Sequence, residues 1–224
     1  MALFSKGPKM QGTKLTSGIA MLTVLILSSP ASAERLGEIA IKDSINKGQQ
    51  IAGQICAGCH NADGNSTIPT NPSLAGQHAE YLTKQLVSFK AQGDKPAERN
   101  NAIMTAMVST LSLDDMKNVS AYYASQILKP GAAKDKTLAE QGKKIYRGGN
   151  IETGVPACSA CHSPNGVGIP PLYPSLAGQH AEYTMAQIRA FRTEQRTNDV
   201  MRMIVHRMSE KEIAAVSEFI SGLH

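Results

Sequence analysis

Apolar residues recur three or four positions apart in several short stretches of the chain, the period of a helix with one buried face. Leu82, Leu86 and Phe89 mark a helix over 79–91, and Met185, Ile188 and Phe191 mark another over 181–191. Met116, Val119 and Tyr123 predict a third helix, and Ile213, Val216 and Ile220 a fourth. Each of these follows a helix-start signal: Ser112-Leu-Asp-Asp115 in one case and Ser209-Glu-Lys-Glu212, a full capping box, in the other. Helices are also expected over 36–54 and 138–146. The Gly- and Pro-rich stretches 61–77 and 163–179 lack any such period and are expected to be loops. No segment of useful length alternates with the period of a strand, so the predicted fold class is all-α.

These elements come in pairs because the chain repeats itself. Pro72-Ser-Leu-Ala-Gly-Gln-His-Ala-Glu-Tyr81 recurs unchanged as Pro174 to Tyr183, at an offset of 102. Beyond the second helix the offset falls to 97, relating Ser112 to Ser209 and Val119-Ser120 to Val216-Ser217. Upstream, Gly48-Gln-Gln-Ile51 resembles Gly142-Lys-Lys-Ile145. Two homologous units result, assigned to 34–130 and 131–224, with Lys129-Pro-Gly-Ala-Ala-Lys134 as the joint between them.

The first 33 residues stand apart. Lys6, Lys9 and Lys14 precede the apolar run Gly18 to Leu27, then Pro30 and Ala31-Ser-Ala33. This is the order of a secretory signal peptide, with cleavage expected before Glu34 and the periplasm as destination. The apolar run is well short of the roughly 20 residues a spanning helix needs. Without those three lysines the formal charge of +5 falls to +2, so nothing suggests a nucleic-acid surface. Peripheral attachment to a membrane and a monomeric state fit the remaining sequence.

All four cysteines lie in two pentapeptides, Cys56-Ala-Gly-Cys59-His60 and Cys158-Ser-Ala-Cys161-His162. The spacing C-x-x-C-H is that of covalent c-type haem attachment, in which both thiols bind vinyl groups and the histidine ligates iron. The competing uses are a redox dithiol, which needs a βαβ setting absent here, and a zinc site, which needs both pairs to converge. Units of this size, poor in aromatic residues, have thin cores that a buried haem fills.

A second axial ligand can be sought among the methionines. Counting back eight residues from each capping serine reaches Met104 and Met201, the one pair that keeps a thioether in both copies. Methionine is most often core filler, but a conserved register across the repeat favours ligation, since His/Met is a standard haem c pairing. His78 and His180 also match, yet they begin helices and suit a polar or capping role. His206 faces Ser109 in the other copy and has no equivalent.

With these features in place the chain resembles the bacterial dihaem cytochrome c4 family. The resemblance spans all of 34–224 and includes Cys56-Ala-Gly-Cys-His-Asn-Ala-Asp-Gly-Asn65, both Pro-Ser-Leu-Ala-Gly-Gln-His copies, Tyr146-Arg-Gly-Gly149, Arg196-Thr-Asn198 and Gly222-Leu-His224. It implies two tandem class I cytochrome c domains related by a pseudo-twofold axis, each with one covalently bound haem c. By the same resemblance His60 and Met104 ligate one iron and His162 and Met201 the other. Pro72 and Pro174 fall where that fold uses a proline carbonyl to accept a hydrogen bond from the ligating imidazole. The implied role is electron transfer, without substrate chemistry, between respiratory donor and acceptor proteins such as a membrane-bound terminal oxidase. The alternatives are a dihaem peroxidase, a sulfur-compound-oxidising enzyme, or an electron-transfer subunit of a dehydrogenase.

Overall fold

The computed structural model describes Leu3, Gly7 and residues 30–224. The expected signal segment 1–33 therefore lies outside the described residues, apart from those two positions and its last four. Ten α-helices follow in order: α1 Pro30–Ile51, α2 Ala57–His60, α3 Ala79–Phe89, α4 Ala102–Val108, α5 Leu113–Ala124, α6 Lys136–Gly148, α7 Ser159–His162, α8 Ala181–Arg192, α9 Asp199–Val205 and α10 Glu210–Ser221. A π-helical turn, Ala52–Cys56, joins α1 to α2. Extended structure among the described residues is limited to three isolated bridges, so the fold is all-α.

Each unit is framed by two helices that cross closely, α1 with α5 and α6 with α10. Glycine permits the approach. A Cβ placed on Gly48 would lie 2.0 Å from the Asn118 carbonyl oxygen, and one on Gly142 would lie 1.9 Å from that of Ala215. A mid-helix glycine costs about 1 kcal/mol of helix propensity; contact between the two backbones is what that cost secures. Both crossing partners start as expected. The Ser112 hydroxyl accepts the Asp115 N–H at 3.1 Å, the Ser209 hydroxyl accepts that of Glu212 at 3.3 Å, and each carboxylate bonds back to its serine N–H.

Buried faces of these helices form the cores. In the second unit Tyr146, Ile188, Phe191, Val205, Ile213, Val216 and Ile220 belong to one cluster. In the first unit the core is split. Ala52, Leu82, Val119, Tyr122 and Tyr123 pack on one side, and Phe89, Val108, Leu111 and Met116 on the other, with Ile51 and Leu86 touching both.

The helices α4 and α9 carry no periodic signal in the sequence. At seven residues each they complete fewer than two turns, too few for a period to emerge. The first helix also begins earlier than 36, and the π turn interrupts its expected run to 54.

The two units meet through the repeated decapeptide. Gln77 donates to the Ser175 carbonyl at 2.8 Å and accepts the Ser175 N–H at 2.9 Å. Gln179 does the same with Ser73, at 3.0 Å in both directions. This reciprocity is the signature of a pseudo-twofold axis between the units. The joint at 129–134 is pinned to both. The Asn65 side chain bonds the Lys129 N–H and the Ile127 carbonyl, while Glu218 accepts the N–H groups of Lys134 and Asp135.

Candidate functional site

Cys56 ends the π turn, and Cys59 and His60 lie on α2; Cys161 and His162 occupy the equivalent places on α7, just after Cys158. None of the four cysteines is joined to another in a disulfide. Burial pushes Cys56 up to about 11, with a hydrogen bond to Tyr123 acting the other way, and burial likewise pushes Cys158 up to about 11.

Both histidines are buried, and each ring is held by a proline. His60 Nδ1 lies 2.9 Å from the Pro72 carbonyl oxygen, and His162 Nδ1 lies 3.0 Å from that of Pro174. A carbonyl can only accept, so Nδ1 carries the proton and Nε2 is the free lone pair. Burial pulls both imidazoles below their ordinary pKa, against the opposing effect of the proline bond. A neutral ring is the form that ligates a metal.

The residue after each histidine turns the chain sharply. Asn61 and Ser163 have φ of 60° and 67°, a region that β-carbon sterics make costly. A tyrosine hydroxyl stabilises each turn from a different helix. Tyr123 on α5 donates to the Asn61 carbonyl at 3.4 Å, and Tyr146 on α6 donates to that of Ser163 at 2.8 Å. In the repeat register Ile220 stands at the position of Tyr123, and Ala52 at that of Tyr146.

Met104 and Met201 each occupy the third position of a seven-residue helix capped by asparagine. The Asn101 side chain accepts the Met104 N–H at 2.9 Å, and Asn198 accepts that of Met201 at the same distance. Met104 packs against the Phe89 side of the split core, whereas Cys56 borders the other side. Met201 and Cys158 flank the single cluster of the second unit. Asn101 is not among the expected residues and Asn198 is there only as part of Arg196-Thr-Asn198, without a capping role, although Asn-x-x-Met at an offset of 97 points to both.

His78 and His180 sit at the starts of α3 and α8 without capping them. His180 Nε2 instead reaches the Ser66 carbonyl of the other unit at 2.8 Å. His206 is exposed. Among the described residues no three of His, Cys, Asp and Glu converge, so the cysteine pairs do not build a shared zinc site.

The donor set fits haem c. Each unit supplies two free thiols at the attachment spacing, a neutral imidazole with one nitrogen occupied, and a thioether bordering the same core.

Residues 45–126 and 139–224 each match the family described as Cytochrome c. The chain is similar to cytochrome c4 of Azotobacter vinelandii, 46% identical over 191 residues that cover 79% of this chain and 90% of that one. It is 33% identical to a thiosulfate dehydrogenase electron acceptor of Stutzerimonas stutzeri, over 92% of this chain and 94% of that one. Among solved structures, reduced recombinant cytochrome c4 from Pseudomonas stutzeri superposes with a TM-score of 0.75 at 42% identity, covering 80% of this chain and 98% of that one.

Proposed function

The chain belongs to the cytochrome c4 family, and from that premise we propose that it is a periplasmic relay passing single electrons from a respiratory donor to an acceptor such as a terminal oxidase. It is an electron-transfer protein with two covalently attached haem c groups. Residues 1–33 direct export and are removed before Glu34, leaving an N-terminal haem domain at 34–130 and a C-terminal one at 131–224.

Cys56 and Cys59 hold one haem through thioether bonds, and Cys158 and Cys161 hold the other. His60 and Met104 would ligate one haem iron, and His162 and Met201 the other. Bound haem supplies a one-electron Fe(III)/Fe(II) couple. The protein residues set how that couple behaves. Pro72 and Pro174 fix the imidazole tautomer and ring angle, so the free Nε2 is already oriented. The methionine sulfurs would favour the reduced state and raise the potential. A haem held by both an imidazole and a thioether of the protein would serve electron transfer and not substrate chemistry. The observation carrying this reading is the matched pair of proline-oriented histidine and asparagine-capped methionine in both units.

A spectroelectrochemical titration of the holoprotein tests it. Two low-spin His/Met centres are expected, with Met104→Ala and Met201→Ala each abolishing one and lowering its potential. A thioether–iron charge-transfer band unchanged in either variant overturns the ligand assignment. A high-spin centre with rapid peroxide turnover in the wild type overturns the carrier reading in favour of a peroxidase.

The thiosulfate dehydrogenase electron acceptor at 33% identity supports a second reading of the donor. On that reading electrons arrive from a sulfur-compound dehydrogenase. Reduction of the protein by such an enzyme plus thiosulfate, compared with reduction by a quinol-oxidising complex, separates the two donors.

A further inference from the structure

Two arginines meet at the interface between the units. Arg99 follows α3 and Arg196 follows α8, and they match at the offset of 97. Each guanidinium lies over the phenyl ring of its own unit, Arg99 at 4.4 Å from Phe89 and Arg196 at 4.5 Å from Phe191. Neither takes part in an ion pair among the described residues; Gln85 and Gln187 each accept from both arginines. Arg99 bonds Gln85 at 2.8 Å and crosses to Gln187 at 2.6 Å; Arg196 bonds Gln187 at 3.0 Å and crosses to Gln85 at 2.9 Å. A tyrosine of the opposite unit completes each set. Tyr183 accepts from Arg99 at 3.2 Å, and Tyr81 accepts from Arg196 at 2.6 Å.

The place of these arginines in the chain gives the ring its consequence. One residue separates Arg99 from Asn101, the cap of the Met104 helix, and one separates Arg196 from Asn198, the cap of the Met201 helix. Two residues of chain reach at most about 7 Å, so the cap cannot move far while the arginine is held. A seven-residue helix does not hold itself together in water, because the cost of nucleating it is not repaid over so few bonds. Its position comes from neighbours. On the N-terminal side of each methionine helix the last anchored side chain is the arginine, half-buried at Arg99 and buried at Arg196, and half of its partners belong to the other unit. The preceding segment 91–96 is exposed and offers no substitute.

We propose that Arg99 and Arg196 are positioning residues that hold each methionine helix through contacts on the opposite unit, so the hold on Met104 depends on Tyr183 and the hold on Met201 on Tyr81. The inference rests on Met104 and Met201 being the axial ligands. It makes the tandem arrangement part of each haem site, since neither unit alone supplies all the groups that fix its methionine. The arginine fork is required: a lysine carries the charge but cannot bond two amides and a phenol in one plane.

The test uses Tyr81→Phe and Tyr183→Phe in the holoprotein, each of which removes one oxygen and no carbon. Imidazole is added to the oxidised protein, and its replacement of methionine is followed separately at each iron. The two methionine methyl resonances report this, assigned with Met104→Ala and Met201→Ala. Tyr183→Phe is expected to speed replacement several-fold in the first unit and by less in the second, where Tyr183 also borders Arg196. Tyr81→Phe is expected to speed the second and leave the first unchanged. Arg99→Lys is expected to follow Tyr183→Phe. Acceleration confined to the substituted tyrosine's own unit, equal acceleration in both, or none overturns the proposal. A wild-type protein lacking iron-shifted methionine resonances removes the ligand assignment itself, and the proposal with it.

Discussion

The Asn101 side chain accepts the backbone N–H of Met104 at 2.9 Å, and Asn198 repeats the contact with Met201 at the same distance. The cap therefore bonds the very residue whose sulfur is proposed to reach the iron. Removing an N-cap side chain costs about 1 kcal/mol. In a helix of under two turns that loss bears directly on the methionine. Asn101→Ala is expected to weaken the thioether–iron band of the first unit at lower denaturant than in the wild type, with the second unit unaffected. Asn198→Ala is expected to show the converse. Denaturant titration followed in that band checks both, and identical midpoints for wild type and variants would count against the cap.

Gly142 and Gly148 lie on the same helix but differ in what surrounds them. A Cβ on Gly142 would press on the Ala215 carbonyl, while one on Gly148 meets nothing within 4 Å. Gly142→Ala is expected to destabilise the holoprotein by about 2 kcal/mol or more, since a backbone neighbour cannot swing aside as a side chain can. Gly148→Ala is expected to be neutral or stabilising by up to about 1 kcal/mol. Thermal unfolding of the two variants checks the contrast, and equal effects would mean the crossing is looser than the structure implies.

The second unit carries an acid-sensitive tie absent from the first. Glu212 accepts from the Ser209 hydroxyl at 2.8 Å, from Asn150 at 2.8 Å and from Thr153 at 3.1 Å, fastening the 149–156 loop to α10. Burial alone would raise this carboxyl, but its hydrogen bonds outweigh burial and hold it below the ordinary glutamate range. A folded-state pKa below the unfolded value makes the stabilisation complete at neutral pH. It is lost as the pH falls below the unfolded value of about 4.3. Glu212→Gln is expected to lower stability at neutral pH and to flatten its fall in acid. Unfolding midpoints measured across that range check this, and parallel profiles for the two proteins would refute it.

Helices α3, α5, α8 and α10 were legible in the sequence because each is long enough to show its apolar period and two begin with a capping box. The haem motifs were legible because their spacing is chemistry, independent of the surrounding fold. The helices bearing Met104 and Met201 were not, since seven residues show no period. The tyrosine hydroxyls behind Asn61 and Ser163 escaped for a different reason. Tyr123 and Tyr146 arrive from opposite ends of their units, so a comparison by repeat register pairs each with an aliphatic residue. Spatial equivalence without register equivalence is invisible to an alignment of the two copies. The Arg99 and Arg196 ring lay closer to view, because both arginines keep the 97-residue offset, but their partners lie across the interface.

The glutamine exchange at Gln77 and Gln179 has a consequence for how the molecule is assembled. A contact in which each partner offers the same group to the same group is that of an isologous homodimer. Here both partners lie in one polypeptide. The joint at 129–134 replaces an encounter between two molecules with one inside a single chain, where a short tether corresponds to a millimolar-scale local concentration. Dilution, which separates any free dimer, cannot part these two halves. The pair of redox centres thereby stays matched one to one at every concentration.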